Sequence, residues 1–491
     1  MHFKVNKLNK VVNKKRIEYI LKRITKRGPS LFIYLLQESP YYKSGKSRRE
    51  IINKGLEKYP NNPDINKESA LLYMDKRKWN QASYNWEVYF LNTKKTYAED
   101  YLKLATCYEK NKKIKEAEKT IGLGLKSYPN HRQLLIKLHL LSIVSKDWEL
   151  SISRLEEYIE QFRDKKPFKA MLKLSMILQL TGKIEESQVL FKHVMENYRD
   201  DILEEKLDHR KLTIFNKGDT VIHFYKSPLP TSKVVITFDS LNMTNKRSPF
   251  GFKLLKEQGV DIIAVRKRKK KKYQQDLSLE EFTETVQLLL KNYEDKIAYG
   301  FSLGAYLALY FTSNLNCRIL AIAPRISAHP VYGKKGVIKK EDFNHKLFID
   351  KNRNISPVIL FDRRNKMDNK YINEQLKQVF PNGRFIEIPY GGHGMAKHLL
   401  NIGALKEYAI TFIQKDKVPK YNQKSYRIKR SQSPNYLRLL AKTCFEHNKI
   451  KWADSLINQS LSLQPNNKHG IQLKKKIDKA KDENELSNPN L

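Results

Sequence analysis

Hydrophobic positions recur with a helical period over residues 51–205, and a longer period is superimposed on it. A motif of one large apolar residue, two variable residues and one small residue occurs at residues 79–82, 114–117, 148–151 and 184–187. Successive motifs begin 35, 34 and 36 residues apart. The small residue allows a second helix to approach the first closely. The pattern predicts helix–turn–helix units stacked into an all-α array.

The hydrophobic pattern changes beyond residue 205. Short β-rich runs appear, and from Val234 onward they alternate with helical segments, one of which begins with the capping box Ser278 and Glu281. Near-continuous apolar strands separated by helices are typical of a mostly parallel sheet covered on both faces. Residues 211–416 therefore predict a three-layer α/β domain. Residues 417–432 are polar and basic without apolar periodicity, and predict a linker.

The helical repeat then returns over residues 433–480. Positions of the earlier array reappear there at a constant offset of 336 residues, as in the pairs Ile114 and Ile450 or Pro129 and Pro465. A single repeat cannot bury its apolar face alone, so we expect it to dock on another part of the chain. Residues 481–491 predict a charged tail, and residues 1–50 predict a basic, helical N-terminal segment.

The period and the anchor residues resemble the tetratricopeptide repeat (TPR). This resemblance implies a concave face suited to peptides or extended ligands, and hence a protein partner. A scaffold that only positions a neighbouring domain is an equally good interpretation of the repeats.

The segment Gly300-Phe301-Ser302-Leu303-Gly304 joins a predicted strand to a predicted helix. Glycines on both sides of the serine allow the strand and helix backbones to come close together in a sharp turn. The serine hydroxyl would then project freely above the N-terminus of the helix, where backbone N–H groups favour developing negative charge. The segment predicts a nucleophilic serine; the alternative is a tight turn without chemistry.

A histidine and two aspartates follow later strands of the same domain. His393 lies in a glycine-rich loop after the last predicted strand, and Asp362 and Asp368 follow the strand before it. A histidine in such a loop could reach the serine hydroxyl as a general base. The chain order Ser, Asp, His resembles that of the α/β-hydrolase fold.

The resemblance to α/β-hydrolases covers residues 211–416 and implies a role for each residue. Ser302 would be the nucleophile and His393 the base. Asp368 would hold the imidazole, because it lies a few residues beyond the strand end; Asp362 is the alternative acid.

The oxyanion hole implied by the same resemblance uses the backbone N–H of Leu303 and that of Ser240 or Leu241. Here the sequence departs from the lipase pattern, because the loop has no His-Gly-Gly run and carries Asp239 instead. An inward-pointing Asp239 would repel an oxyanion.

The net charge of the chain indicates what kind of partner it binds. The chain has 94 Lys and Arg residues against 52 acidic ones, a net charge of +42, which indicates a polyanionic partner or else a compositional bias. The run beginning with Arg266, Lys267 and Arg268 leaves the same sheet edge as the serine, and with Arg325 it predicts a positive substrate-binding rim. A phosphate-bearing acyl donor, a nucleotide sugar or an anionic glycan would fit. Aromatic interleaving and nucleic-acid-binding motifs are missing, so nucleic acid is a poorer partner.

The three cysteines are far apart and lack metal-ligand spacing, so we predict neither disulfides nor a metal site. The chemistry requires no cofactor, although acetyl-CoA would suit as an acyl donor.

No apolar run is long enough to cross a bilayer and no signal-peptide core follows the N-terminus, so the protein is expected in the cytoplasm. The basic segment over residues 7–27 could contact an anionic membrane surface.

These features together predict a serine esterase or O-acyltransferase acting on an anionic glycan or a surface-polysaccharide precursor. The arrangement is similar to α/β-hydrolase-like proteins of bacterial surface-polysaccharide pathways, some of which transfer acetyl groups. The competing hypothesis is a TPR scaffold or binding protein whose hydrolase-like domain has lost turnover.

Overall fold

The computed structural model describes residues 46–204, 210–333, 343–345 and 355–487, together with residues 29, 30, 33 and 337. The segment predicted at residues 1–50 lies outside these ranges, apart from residues 46–50 and three of the single residues. The chain divides into two compact units, residues 1–166 and 167–491. Within the described ranges, no helix combines the length and apolar character needed to cross a membrane.

The described part of the first unit is a series of antiparallel helix pairs. Each helix packs on its neighbours in the chain, and the helices are α1 (Lys46–Lys58), α2 (Pro63–Asp75), α3 (Trp79–Asn92), α4 (Ala98–Lys110), α5 (Ile114–Ser127), α6 (Arg132–Ser145) and α7 (Trp148–Gln161). A 3₁₀ turn, Arg163–Lys165, follows.

Small residues make this close helix packing feasible. Ala82, Ala117 and Ser151, the small anchors of the sequence motif, are fully buried. Gly124 is also at a contact, since a Cβ there would lie 2.9 Å from the ring of Tyr101. The predicted TPR-like helical repeats are therefore confirmed in residues 46–166.

The second unit opens with one more helix pair, α8 (Phe168–Leu180) and α9 (Ile184–Glu204). An eight-stranded sheet follows in the described part of this unit, in the order β1-β2-β4-β3-β5-β6-β7-β8. The strands are β1 (Lys211–Lys217), β2 (Thr220–Tyr225), β3 (Lys233–Phe238), β4 (Asp261–Lys267), β5 (Asp295–Phe301), β6 (Arg318–Ile322), β7 (Val358–Phe361) and β8 (Arg384–Glu387). Strand β2 is antiparallel to β1 and β4, and all other pairs are parallel. The sheet is mixed, with parallel pairing in the majority.

Helices pack on both faces of this sheet. They are α10 (Phe252–Glu257), α11 (Leu279–Leu290), α12 (Leu303–Thr312), α13 (Lys366–Tyr371), a π turn (Ile372–Leu376), α14 (Lys377–Val379), α15 (Met395–Asn401) and α16 (Ala404–Lys415). On one face Val235 packs in a cluster with Leu399 and Phe412. On the other, Phe238 contacts Phe282 and Phe311. The region is thus an α/β domain with helix layers on each side.

The predicted linker is packed rather than extended. It contains a short helix, α17 (Arg427–Arg430), and Val418 is buried in the sheet domain's core cluster. The ring of Tyr421 stacks on Tyr426, whose hydroxyl donates to Glu407 of α16. This segment fixes the direction in which the chain enters the C-terminal repeat.

The C-terminal repeat comprises α18 (Pro434–Glu446), α19 (Ile450–Leu463) and α20 (Lys468–Ser487). Helix α18 packs on α15 of the sheet domain. His398 of α15 is fully buried at this contact, where its Nδ1 lies 2.9 Å from Ser433 Oγ and its ring stacks on Tyr436. The repeat therefore covers part of its apolar face against the sheet domain.

This contact should weaken in acid. Burial, and secondarily the charge of Arg430, lowers the pKa of His398 from its ordinary 6.5 to about 4. The folded state keeps the ring neutral while the unfolded state binds a proton below pH 6.5, so stability present above pH 6.5 is lost as the pH falls toward 4. We expect His398→Phe to reduce that loss by on the order of 2 kcal/mol at pH 4.5, measured as the change in unfolding free energy between pH 7 and 4.5.

The matched control is His469→Phe, because His469 is an exposed histidine of the same repeat. That variant should show the wild-type pH dependence. Equal acid sensitivity of His398→Phe and wild type would contradict the prediction.

Candidate active site

Ser302 occupies a strained turn between β5 and α12. Its φ of 56° and ψ of −119° lie outside the helical region, and a serine is held there only when its surroundings enforce it. A Cβ on Gly300 would lie 2.3 Å from the carbonyl oxygen of Gly304, and one on Gly304 would lie 2.4 Å from that of Phe238. Both glycines are therefore required sterically, as the sequence motif predicts.

Three side chains that are distant in sequence form one hydrogen-bonded chain. Ser302 Oγ lies 2.8 Å from His393 Nε2, and His393 Nδ1 lies 3.0 Å from Asp368 Oδ2. Asp368 is 2% exposed, whereas the His393 side chain is 28% exposed. A buried carboxylate on Nδ1 stabilises the tautomer in which Nε2 accepts the serine proton. The arrangement is chemically able to activate the hydroxyl.

The two candidate aspartates have different partners. Asp368, on α13, contacts the imidazole, and its backbone N–H is capped by Asn365. Asp362 instead accepts hydrogen bonds from the backbone N–H groups of Gly392, at 2.8 Å, and Arg364, at 3.0 Å. Asp362 therefore holds the histidine loop in place, and Asp368 is the carboxylate beside the ring.

Arg325, predicted on the substrate-binding rim, instead forms an ion pair with Asp368. Its Nε donates to Asp368 Oδ1 at 2.5 Å and its terminal nitrogen donates to Asn365 Oδ1 at 2.9 Å. The carboxylate thus has one oxygen on the arginine and the other on His393, and both bonds fix its orientation. No local pattern predicts this pairing, because Arg325 follows a different strand from Asp368.

The prediction that Arg266 is a cation on the substrate-binding rim is wrong. Strand β4 continues through Arg266 and Lys267, because β2 pairs with both positions, and the Arg266 side chain is only 1% exposed. Its Nε bonds to Asp239 Oδ2 at 2.8 Å, and it also donates to the carbonyls of Thr244 and Arg247. Arg266 is a buried structural residue.

The same prediction for Lys267 is also wrong. Lys267 is fully buried and donates to the carbonyl oxygens of Ser240, at 2.7 Å, and Leu241, at 2.9 Å. Burial lowers the pKa of its ammonium to about 8, against the opposing effect of Asp239. Arg268 is partly exposed, yet it contacts the carbonyl of Gly218 and the side chain of Asn216 in the β1–β2 turn.

These bonds order the loop predicted to contribute to an oxyanion hole. Leu303 begins α12 directly after Ser302, and a Cβ on the neighbouring Gly304 would lie 3.5 Å from the carbonyl carbon of Asp239. The loop after β3 thus borders the serine turn. Arg266 neutralises Asp239, and burial raises the pKa of that carboxyl. The predicted repulsion of an oxyanion is therefore diminished.

One neighbour of the site comes from the C-terminal repeat. Asn435 of α18 donates from Nδ2 to the carbonyl of Gly391 at 2.5 Å, next to the histidine loop. Sequence reasoning missed it, since no motif links a repeat residue to that loop. Among the described residues, no group of three or more His, Cys, Asp or Glu is placed to hold a metal ion.

Comparisons with known proteins reveal similarity to helical-repeat proteins. No protein-family model and no curated protein matches the sequence. Among solved structures, YrrB, a TPR protein with an unusual peptide-binding site, is 13% identical with a TM-score of 0.30; the match covers 35% of this chain and 85% of that one.

Two further structures give similar values. MamA is 16% identical with a TM-score of 0.31, covering 36% of this chain and 96% of that one. PilW, a type IV pilus biogenesis factor, is 14% identical with a TM-score of 0.30, covering 39% and 89%. All three TM-scores are below 0.5, and the description of residues 46–166 as TPR-like repeats rests on their helix packing.

Proposed function

We propose that the second unit is an α/β-hydrolase-type domain that performs serine-dependent acyl chemistry. The observation that carries this proposal is the hydrogen-bonded chain from Ser302 through His393 to Asp368. It is supported by the strained backbone of Ser302 at the carboxyl end of β5, the edge where parallel sheets collect functional groups. The single antiparallel strand β2 in an otherwise parallel order is compatible with that fold class.

The reaction follows from the geometry. His393 Nε2 removes the proton of Ser302 as Oγ attacks an ester or thioester carbonyl, and Asp368 stabilises the imidazolium. The backbone N–H of Leu303, at the start of α12, and one from Ser240 or Leu241 would bind the oxyanion. The protonated His393 then donates to the leaving alcohol or thiol. Water or a sugar hydroxyl, deprotonated by the same ring, would release the acyl group.

The substrate we propose is an anionic glycan or a surface-polysaccharide precursor. The net charge of +42 supports an anionic partner. Hydrolysis and O-acyl transfer, with acetyl-CoA as a donor, use the same residues up to the acyl-enzyme. An anionic membrane surface would attract the chain for the same reason.

Protein binding is the second candidate function, and the TPR-like repeats of residues 46–166 favour it. In this alternative the repeats recognise a protein partner, and the α/β domain is a binding module without turnover.

Fluorophosphonate labelling distinguishes the two functions. Because the probe reacts only with an activated serine, we expect the full chain to be labelled and Ser302→Ala to lose the label completely. Ser248→Ala is the matched control, since Ser248 is an exposed serine of the same domain; it should label like the wild type. Absence of labelling in folded wild-type protein would exclude an activated serine and leave the binding function.

A further inference from the structure

Helix α18 of the C-terminal repeat packs directly on the loop that carries His393. Asn435 donates to the carbonyl of Gly391. A Cβ added to Gly392 would lie 2.6 Å from Leu439 Cδ1, and one added to Gly394 would lie 3.4 Å from Asn435 Nδ2. These contacts fall on both sides of His393. The repeat is thus part of the structure that surrounds the candidate site.

The same face of α18 carries an arginine. Residues three and four apart lie next to each other on a helix, which places both Arg438 and Leu439 beside Asn435. The terminal nitrogen of Arg438 donates to Asn435 Oδ1 at 3.0 Å. The guanidinium is therefore hydrogen-bonded to a residue that contacts the histidine loop.

Within the described residues, the charge of Arg438 has no counter-ion. No carboxylate of the described residues forms an ion pair with it, whereas Arg325 pairs with Asp368 and Arg364 with Glu387 at the same edge of the domain. Burial lowers the pKa of Arg438. A partly buried cation is unfavourable until an anion offsets it, and a guanidinium binds carboxylate and phosphate oxygens in a bidentate manner.

We propose that Arg438 binds an anionic group, a carboxylate or a phosphate, on the substrate of the Ser302 site, and that α18 forms one wall of that site. The proposal rests on the proposed acyl chemistry and narrows its substrate to esters that carry such a group near the scissile bond. Asn435 then has two roles, because it orients both the histidine loop and the guanidinium.

The test compares two esters with the same leaving group, neutral p-nitrophenyl acetate and anionic mono-p-nitrophenyl succinate. Wild-type protein should prefer the succinate in kcat/KM. Arg438→Gln should lower the ratio of kcat/KM for the succinate to kcat/KM for the acetate by roughly 10- to 100-fold, as expected for a lost charge-assisted hydrogen bond. Arg438→Lys should restore part of the preference.

Arg427→Gln is the matched control, because it removes the same charge from an exposed position of the preceding helix. It should leave both esters unchanged. An equal loss on both esters in Arg438→Gln, or no preference for the succinate in wild type, would overturn the proposal.

A binding measurement separates this inference from the proposed function. Calorimetric titration with monomethyl succinate and with inorganic phosphate needs no turnover and distinguishes a carboxylate from a phosphate site. Binding by wild type that Arg438→Gln loses supports the anion site even if fluorophosphonate fails to label Ser302. If wild type and Arg438→Gln bind each probe equally well, the proposal of an anion site is overturned. It is also overturned if neither protein binds either probe.

Discussion

Under the proposed acyl chemistry, Asp368→Asn is expected to lower kcat for ester hydrolysis by roughly 10⁴-fold, as for the orienting acid of serine triads. The amide would present an N–H or a neutral oxygen to His393 Nδ1, so the ring would lose the tautomer that accepts the proton of Ser302. The measurement is the turnover of p-nitrophenyl acetate together with the rate of fluorophosphonate labelling.

Asp362→Asn is the matched variant, because it makes the same chemical change six positions earlier. Its amide oxygen can still accept the N–H of Gly392, the bond that holds the loop, and we expect a loss below about tenfold. A larger loss in Asp362→Asn than in Asp368→Asn would identify Asp362 as the acid. Both variants should remain folded by circular dichroism.

Arg266→Gln is expected to destabilise the second unit by about 3–5 kcal/mol, the cost of leaving a buried charge without its partner. Asp239 is fully buried, and Arg266 supplies its ion pair. The same guanidinium also donates to two loop carbonyls, so the loop after β3 would lose its anchor. Hydrogen exchange of the β3 and β4 amides measures the opening free energy of this region.

Two variants make the result specific. Arg268→Gln removes the next arginine, which is partly exposed, and should change the opening free energy by less than about 0.5 kcal/mol. Combining Arg266→Gln with Asp239→Asn removes both charges and should recover part of the lost stability. Equal effects of Arg266→Gln and Arg268→Gln would show that the buried pair does not hold this loop.

Local features of the chain were predictable because their causes are local. The small residues Ala82 and Ala117 indicate helix contacts within a repeat, and these positions are buried in the structure. The two glycines around Ser302 indicate a sharp turn, since any Cβ there would collide with backbone only a few residues away or on the adjacent strand. The spacing of these residues along the chain and their small size are therefore enough to predict both features.

The environment of the cation run that begins at Arg266 could not be predicted from local sequence. Arg266 and Lys267 belong to a sequence that is typical of a solvated loop, yet they extend β4 because β2 supplies hydrogen-bonding partners from a distant segment. Five loop acceptors then offset the desolvation of the two charges. Charge along the chain does not reveal which acceptors the fold will bring to it.

By itself, the sequence determined the helical repeats, the α/β character of the middle region and a serine turn between β5 and α12, because these depend on hydrophobic period and short-range sterics. The tertiary structure alone decided that Asp368 rather than Asp362 contacts His393, that Arg325 holds Asp368, and that α18 lies on the histidine loop. Each of these depends on distances between segments far apart in the chain, which the packing of helices on the sheet sets and no local pattern encodes.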